Sequence, residues 1–322
     1  MALGKVTQDM IDSVVNRRSF LTGVGAVGIG AAAATLIGCG DNGSGMMVKA
    51  SASTDTAAQI FTAALIAEDL AITTYYNALS GGVIKDPNLA NGGTATNVLA
   101  GGSQVNVAYL QGALLEEVQH AQLLRTLLGL SPSGSGDVGA GVPATFYYPT
   151  GTFDTLTNFL PILLALETAF VGAYMTAVEE FASMAAGYNG FSATQANPAM
   201  SGSNYTQADL ILYAKVAASI LGVEAEHRAL IRAIPSVTIA SPTFAGTNLI
   251  PANNVNYESD ASLTGLIVGV GGSSATAATA LAPFLATSSA QSAGFSFSTA
   301  NSGYNSVITT GVTTSGSIPN PE

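Results

Sequence analysis

Four long apolar-periodic segments in this chain each carry a glutamate in the middle of the stripe that ought to be buried. They lie at roughly 56–79, 104–129, 153–187 and 205–235, and loops rich in Gly, Pro, Ser and Asn separate them. Apolar residues spaced three and four apart share one helix face, so each segment predicts an amphipathic helix with one core-facing stripe. The stripes read Phe61, Leu65, Glu68, Ile72, Tyr75, Leu79; then Leu110, Leu114, Glu117, His120, Leu124, Leu127. The third and fourth read Leu160, Leu163, Glu167, Phe170, Tyr174, Val178, Phe181, and Tyr213, Val216, Ile220, Glu224, His227, Ile231, Ile234. An all-α four-helix bundle is the expected fold. Each helix would span ~30 Å. The 130–152 connection holds Pro132, Pro143 and Pro149, which keep it out of helix, and it is long enough to cross the bundle from end to end.

A carboxylate on an apolar face is costly, because a buried isolated charge loses several kcal/mol of hydration. Something positive must be buried with it. Of the 9 Lys and Arg residues, Lys5, Arg17 and Arg18 precede Cys39, and none of the remaining six lies in a stripe. Four carboxylates meeting in one core therefore call for metal cations.

The histidines sharpen this expectation. The chain has 2, and each follows a stripe glutamate by three positions, in Glu117-Val-Gln-His120 and Glu224-Ala-Glu-His227. Residues three apart on a helix share a face, so each pair can reach one metal or bridge to a second. Two lone glutamates plus two Glu-x-x-His pairs form the ligand set of dinuclear carboxylate bundles: Glu68, Glu117, His120, Glu167, Glu224 and His227. The order Glu, Glu-x-x-His, Glu, Glu-x-x-His also suggests duplication. Aligning the halves superposes Tyr75 with Tyr174, Leu114 with Leu221, and Arg125 with Arg232.

The formal net charge of -11 and the thin scatter of basic residues argue against nucleic acid as a partner. A single cysteine, Cys39, excludes intrachain disulfides and cysteine-built zinc or iron–sulfur sites. Asn16-Arg17-Arg18-Ser19-Phe20-Leu21 resembles a twin-arginine export motif, followed by a Gly/Ala-rich run and Leu36-Ile37-Gly38-Cys39, which resembles a lipobox. The organisation expected is a signal segment at 1–38, a Gly/Ser-rich tether at 39–54, the metal domain at 55–235, and a low-complexity extension at 236–322. The product would be exported and held at a periplasmic or cell-surface membrane through lipid on Cys39. Residues 236–322 contain no Lys or Arg and read as a surface cover or tether, with a short helix near Ala275–Ala286 and a strand near Phe295 and Phe297.

Beyond the stripes, the local sequences Phe146-Tyr147-Tyr148-Pro149, Leu166-Glu167-Thr168 with Val171-Gly172-Ala173-Tyr174, and Ala218-Ser219-Ile220-Leu221-Gly222-Val223-Glu224 stand out. With the ligand pattern, they resemble the ferritin-like superfamily, which includes rubrerythrins, bacterioferritins and manganese catalases. The likeness is to its exported group that includes plant desiccation-related proteins, over roughly residues 55–235. The resemblance implies a ferritin-like bundle whose metal positions map onto Glu68, Glu117, His120, Glu167, Glu224 and His227.

Other polar residues near the stripes have simpler expected roles. Glu116, Glu226 and Asp69 adjoin proposed ligands but sit about 100° around the helix, on a solvated face. Glu179 and Glu180 read as surface charges; Arg125 and Arg232 read first as helix-end surface charges, with pairing to an acid across the bundle as the alternative. Tyr75 and Tyr174 lie seven residues beyond a glutamate on the same face. Plain core tyrosines are the simpler reading, with hydrogen bonds to the ligands or redox chemistry the sharper one.

Mixed carboxylate and imidazole donors suit two Fe or Mn ions. The expected chemistry is redox work on oxygen, peroxide or Fe(II). The alternative is a non-enzymatic metal-stabilised scaffold with a structural or desiccation-protective role. A homo-oligomer is compatible with either.

Overall fold

The computed structural model describes residues 55–81, 102–187, 195–233, 266–267, 276–308, 312 and 314. Arg17, Arg18, Cys39 and the 39–54 tether lie outside the described residues. The structure is mostly helical. Among the described residues the four long helices are α1 (Ala57–Ser80), α2 (Gly102–Leu127), α3 (Leu156–Ala185) and α4 (Gln207–Ala233), close to the segments expected from periodicity.

Local chemistry sets the helix ends. Thr56 caps α1: its side chain accepts from Gln59 N, and Gln59 Oε1 accepts from Thr56 N at 2.8 Å. This reciprocal pair satisfies two backbone donors that the first turn leaves without intrahelical partners. Thr155 caps α3 by accepting from Asn158 N. Before α4, Asp209 Oδ2 accepts from both Thr206 N and Thr206 Oγ1, and Asp209 also places a negative charge in the first turn. At the end of α2, Gly129 turns left-handed at φ 66°, and Leu130 N donates back to Arg125 O at 2.8 Å. Glycine is also required there for space, since a Cβ would come within 2.5 Å of Pro198 O.

The helices pack as two pairs, α1 against α2 and α3 against α4, with α1 also meeting α3 and α2 meeting α4. The stripes form the shared core. Leu65, Ile72, Leu79, Leu110, Leu114 and Leu160 are each 0% exposed. Truncating any one of them to Ala would cost about 2–5 kcal/mol. Phe61, Phe181, Tyr205 and Tyr213 form a ring cluster with centroid spacings of 4.8 to 5.7 Å. Helices α1 and α3 are long and apolar enough to cross a membrane, yet each carries a buried glutamate and packs into this core.

The connection after α2 contains a strand, β1 (Thr145–Tyr148), where only proline-broken chain was expected. Its partner is β2 (Ala293–Ser296) from the C-terminal extension, antiparallel, with Phe146 opposite Phe295. The expected helix appears as α5 (Ala277–Leu281) and a 3-10 turn at Ala282–Phe284. Phe297 does not continue the strand but opens α6 (Phe297–Gly303), capped by Ser296.

The extension is more than a cover or tether. Leu281, Phe284, Phe297, Ala300 and Val307 join the same apolar core as the long helices. Two buried carboxylates also grip its backbone. Glu180 Oε1 accepts from Leu266 N at 3.1 Å, and Asp55 Oδ2 accepts from Ile267 N at 2.8 Å. Glu180 is therefore not the surface charge expected; it is 4% exposed. Glu179 and Glu226 do face solvent.

Candidate metal centre

All six sequence-predicted ligands come together between the four helices. Glu68 comes from α1, Glu117 and His120 from α2, Glu167 from α3, and Glu224 and His227 from α4. Their donor atoms fall into two groups, each with its atoms within 4.8 Å of one another and each able to hold a metal ion: Glu68, Glu117, His120 and Glu224, and Glu117, Glu167, Glu224 and His227. Glu117 and Glu224 belong to both groups.

The distances show how they are shared. His120 Nδ1 lies 3.3 Å from Glu68 Oε2, 3.5 Å from Glu117 Oε2 and 3.4 Å from Glu224 Oε1. His227 Nδ1 lies 3.1 Å from Glu117 Oε1, 3.7 Å from Glu167 Oε2 and 3.6 Å from Glu224 Oε2. Glu117 and Glu224 thus each turn one oxygen to either position, while Glu68 and Glu167 are terminal. Exchanging α1–α2 with α3–α4 exchanges the two positions, as the duplicated ligand order implies.

Glu68 Oε2, both oxygens of Glu117 and of Glu224, Glu167 Oε2 and the two Nδ1 atoms are buried without a hydrogen-bond partner. Those eight atoms are the donors facing the two positions, four to each. Buried polar atoms without partners are rare and costly, and this cluster of eight could hold metal ions.

The outward atoms are satisfied. Tyr75 donates to Glu167 Oε1 at 2.5 Å, and Tyr174 donates to Glu68 Oε1. Both tyrosines are thus more than plain core residues: each crosses to the terminal glutamate of the other half. His227 Nε2 lies 2.8 Å from Glu116 Oε2, and Tyr109 donates to the backbone oxygen of His227 at 2.8 Å. Glu116, expected on a solvated face, is 36% exposed but is committed to that contact.

Without cations the cage competes for protons. Burial pushes Glu167 up to about 8 and lifts Glu117 well above the ordinary carboxylate range, with the charges of Glu224 and Glu68 adding to the rise at Glu117. Burial opposes ionisation of Glu224 as well, but the two imidazoles facing its oxygens outweigh it and hold its pKa below the usual value. Burial also disfavours the imidazolium forms. The Glu68 charge for His120, and a hydrogen bond to Glu116 for His227, are the leading causes that reverse this and raise both rings. A divalent cation at each position would replace those protons.

Asp69 is 0% exposed, not on the solvated face expected; Arg125, also 0% exposed, follows the second of its two readings and pairs with acids instead of lying on the surface. Arg125 donates to Asp69 Oδ1 at 2.7 Å and to Asp137 Oδ2 at 2.8 Å, with its guanidinium carbon 5.7 Å from the Phe297 ring centre. A buried cation therefore exists, but Asp69 and Asp137 take it up beside the cage. Its duplicate, Arg232, is half-buried. Sequence reasoning missed Asp137, Tyr109 and the second role of Glu116. Asp137 carried a signal, being the one charged residue between 130 and 152.

Compared with family models, curated proteins and solved structures, the chain matches none.

Proposed function

We propose that this chain is a ferritin-like dinuclear iron or manganese protein, exported and lipid-anchored at the cell envelope, acting on oxygen, peroxide or Fe(II). The observation that carries the reading is the set of eight buried partnerless donor atoms, divided four and four between two positions. Four carboxylates balance the charge of two divalent cations. The all-oxygen and imidazole donors favour Fe or Mn over thiophilic metals. Glu68, Glu117, His120 and Glu224 would hold one ion, and Glu117, Glu167, Glu224 and His227 the other. Anionic carboxylate donors favour the oxidised state of such a pair, which would supply two electrons to dioxygen or peroxide.

The chain's own residues do the rest. Tyr75 and Tyr174 fix the rotamers of Glu167 and Glu68 through their phenol protons. Apolar packing around Ile72, Phe170 and Ile220 excludes bulk water. Four protein donors per position leave coordination space for a small oxygen species, because Fe and Mn accept five or six ligands.

The scaffold alternative draws on the burial of Glu117, Glu167 and Glu224, each 0% exposed. The oxidoreductase reading draws on His120, whose side chain is 12% exposed and gives the cage an edge toward solvent. Elemental analysis of the full chain from its native envelope tests the shared part of both. About two Fe or Mn per chain is expected, with less in Glu68→Ala and Glu167→Ala; unchanged content in both variants would sink the assignment. For the envelope reading, Lys at both Arg17 and Arg18 should retain precursor in the cytoplasm, and Cys39→Ala should abolish lipid labelling.

A further inference from the structure

The two halves supply an internal control, because a duplicated site invites a search for what was not duplicated. Glu117 pairs with Glu224 and His120 with His227 in the same register, so the counterpart of Glu116 is Val223. Glu116 Oε2 meets His227 Nε2 at 2.8 Å. Valine has no acceptor to offer His120, and among the described residues none meets His120 Nε2. The surroundings differ in the same sense. His227 is 1% exposed and meets the rings of Tyr75 and Tyr109 edge-on, with centroids 6.1 and 6.3 Å away. His120 is 12% exposed.

From this contrast, and resting on the dinuclear reading above, we infer that the two positions are unequal. The Glu167–His227 position is filled first and tightly, the Glu68–His120 position is exchangeable and faces solvent, and Glu116 is the positioning residue that sets the difference.

The physical basis is the imidazole proton. For Nδ1 to offer its lone pair to a cation, the ring proton must reside on Nε2. A carboxylate accepting there fixes both the tautomer and the ring plane, and it makes the ring a better donor. Glu116 does this for His227, and it adds a negative charge beside that ring. Among the described residues His120 has no such help, so part of its binding free energy is lost to ordering the ring. Loss of a partner of this kind lowers metal affinity about 10- to 100-fold.

The test is a titration of the metal-free full chain with Mn(II), followed by electron paramagnetic resonance. The first equivalent should give the six-line signal of an isolated Mn(II), and the second should convert it to a spin-coupled pair. Two steps at least about tenfold apart are expected. In Glu116→Ala the tight step should weaken about 10- to 100-fold, so that the two steps merge. Glu116→Gln keeps an acceptor oxygen and should retain most of the gap. Two equal steps in the unaltered chain overturn the inference even if neither variant folds. So do two steps that stay apart in a folded Glu116→Ala protein, and so does a Glu116→Gln protein that falls as far as Glu116→Ala. A chain that takes up no Mn(II), Fe(II) or Co(II) at all overturns the dinuclear reading instead.

Discussion

Tyr75 on α1 donates a 2.5 Å hydrogen bond to Glu167 on α3, tying the first half of the chain to the terminal carboxylate of the second. The phenol is 0% exposed. Burial, then the Glu167 charge, raises its pKa well above the ordinary tyrosine value, so it stays protonated and serves as a donor. Tyr174 and Glu68 repeat the arrangement in the opposite direction. A hydrogen bond to a charged group contributes about 1.5–3 kcal/mol. Tyr75→Phe should therefore destabilise the metal-loaded protein by about that much while leaving its shape intact. The check is the thermal midpoint of Tyr75→Phe beside Tyr76→Phe, whose ring lies outside the cage. Equal midpoints for the two variants would count against the contact.

Arg125 should give a large single-residue effect outside the cage. It is fully buried between Asp69 and Asp137, and removing one member of such a group leaves an uncompensated buried charge, at about 3–5 kcal/mol. Arg125→Ala should lose stability on that scale in denaturant melts. Lys215→Ala, at an exposed position on α4, should stay within about 0.5 kcal/mol of the unaltered chain. A small effect at Arg125 would mean that the ion pairs do not hold the connection against α1.

These two residues also show what the sequence could and could not reveal. The four helices and the six converging donors were legible because helical periodicity places residues three and four apart on one face, and because charge inside an apolar stripe has few explanations. Tyr75 shared that periodicity, so its location could be read, but not its hydroxyl partner on another helix. Asp69, and the surface reading of Arg125, failed for a related reason. Each lies off its stripe, where the single-helix pattern predicts solvent, yet a third element carrying Asp137 covers them. The extension was misjudged likewise. Its Ser, Thr and Gly content suggests a tether, whereas β2 pairs with β1 and Phe297 and Val307 reach the core. Contacts between elements distant in sequence leave no periodic trace.

Removing the cations should make stability depend on pH with a definite sign. In the cation-free cage Glu167 is raised from the ordinary 4.5 to about 8, and Glu117 and both histidines are raised as well. A group raised in the folded state adds stability that is full below its unfolded pKa and lost as pH climbs through its folded one. For Glu167 that loss falls between about 4.5 and about 8. Glu224 is lowered, so its contribution is lost only in more acid solution. The chelator-treated protein should thus melt progressively lower as pH rises from about 5 to about 9, and its gap from the metal-loaded protein should widen. Melting curves that superpose with and without chelator at neutral pH would remove the case for a cation-dependent cage.

The remaining prediction separates an enzyme from a metal-stabilised scaffold. Reducing peroxide to water takes two electrons and two protons, so a useful cage must both store electrons and admit a small polar molecule. The only ligand side chain with appreciable exposure is His120 at 12%, against 2% or less for Glu68, Glu117, Glu167, Glu224 and His227. Access should therefore be from the Glu68–His120 side and limited to species the size of peroxide or dioxygen. The full chain loaded with Fe(II) or Mn(II) should consume peroxide faster than the same concentration of free metal in the same buffer. A bulkier hydroperoxide, such as cumene hydroperoxide, should react more slowly than hydrogen peroxide, because its aromatic group must be accommodated among close-packed side chains. If neither metal form outpaces free metal, the cage holds its ions for stability alone, and the scaffold becomes the better account. If the two peroxides react equally fast while the protein outpaces free metal, the chemistry lies outside the buried cage, and the assignment of access to the His120 edge is wrong.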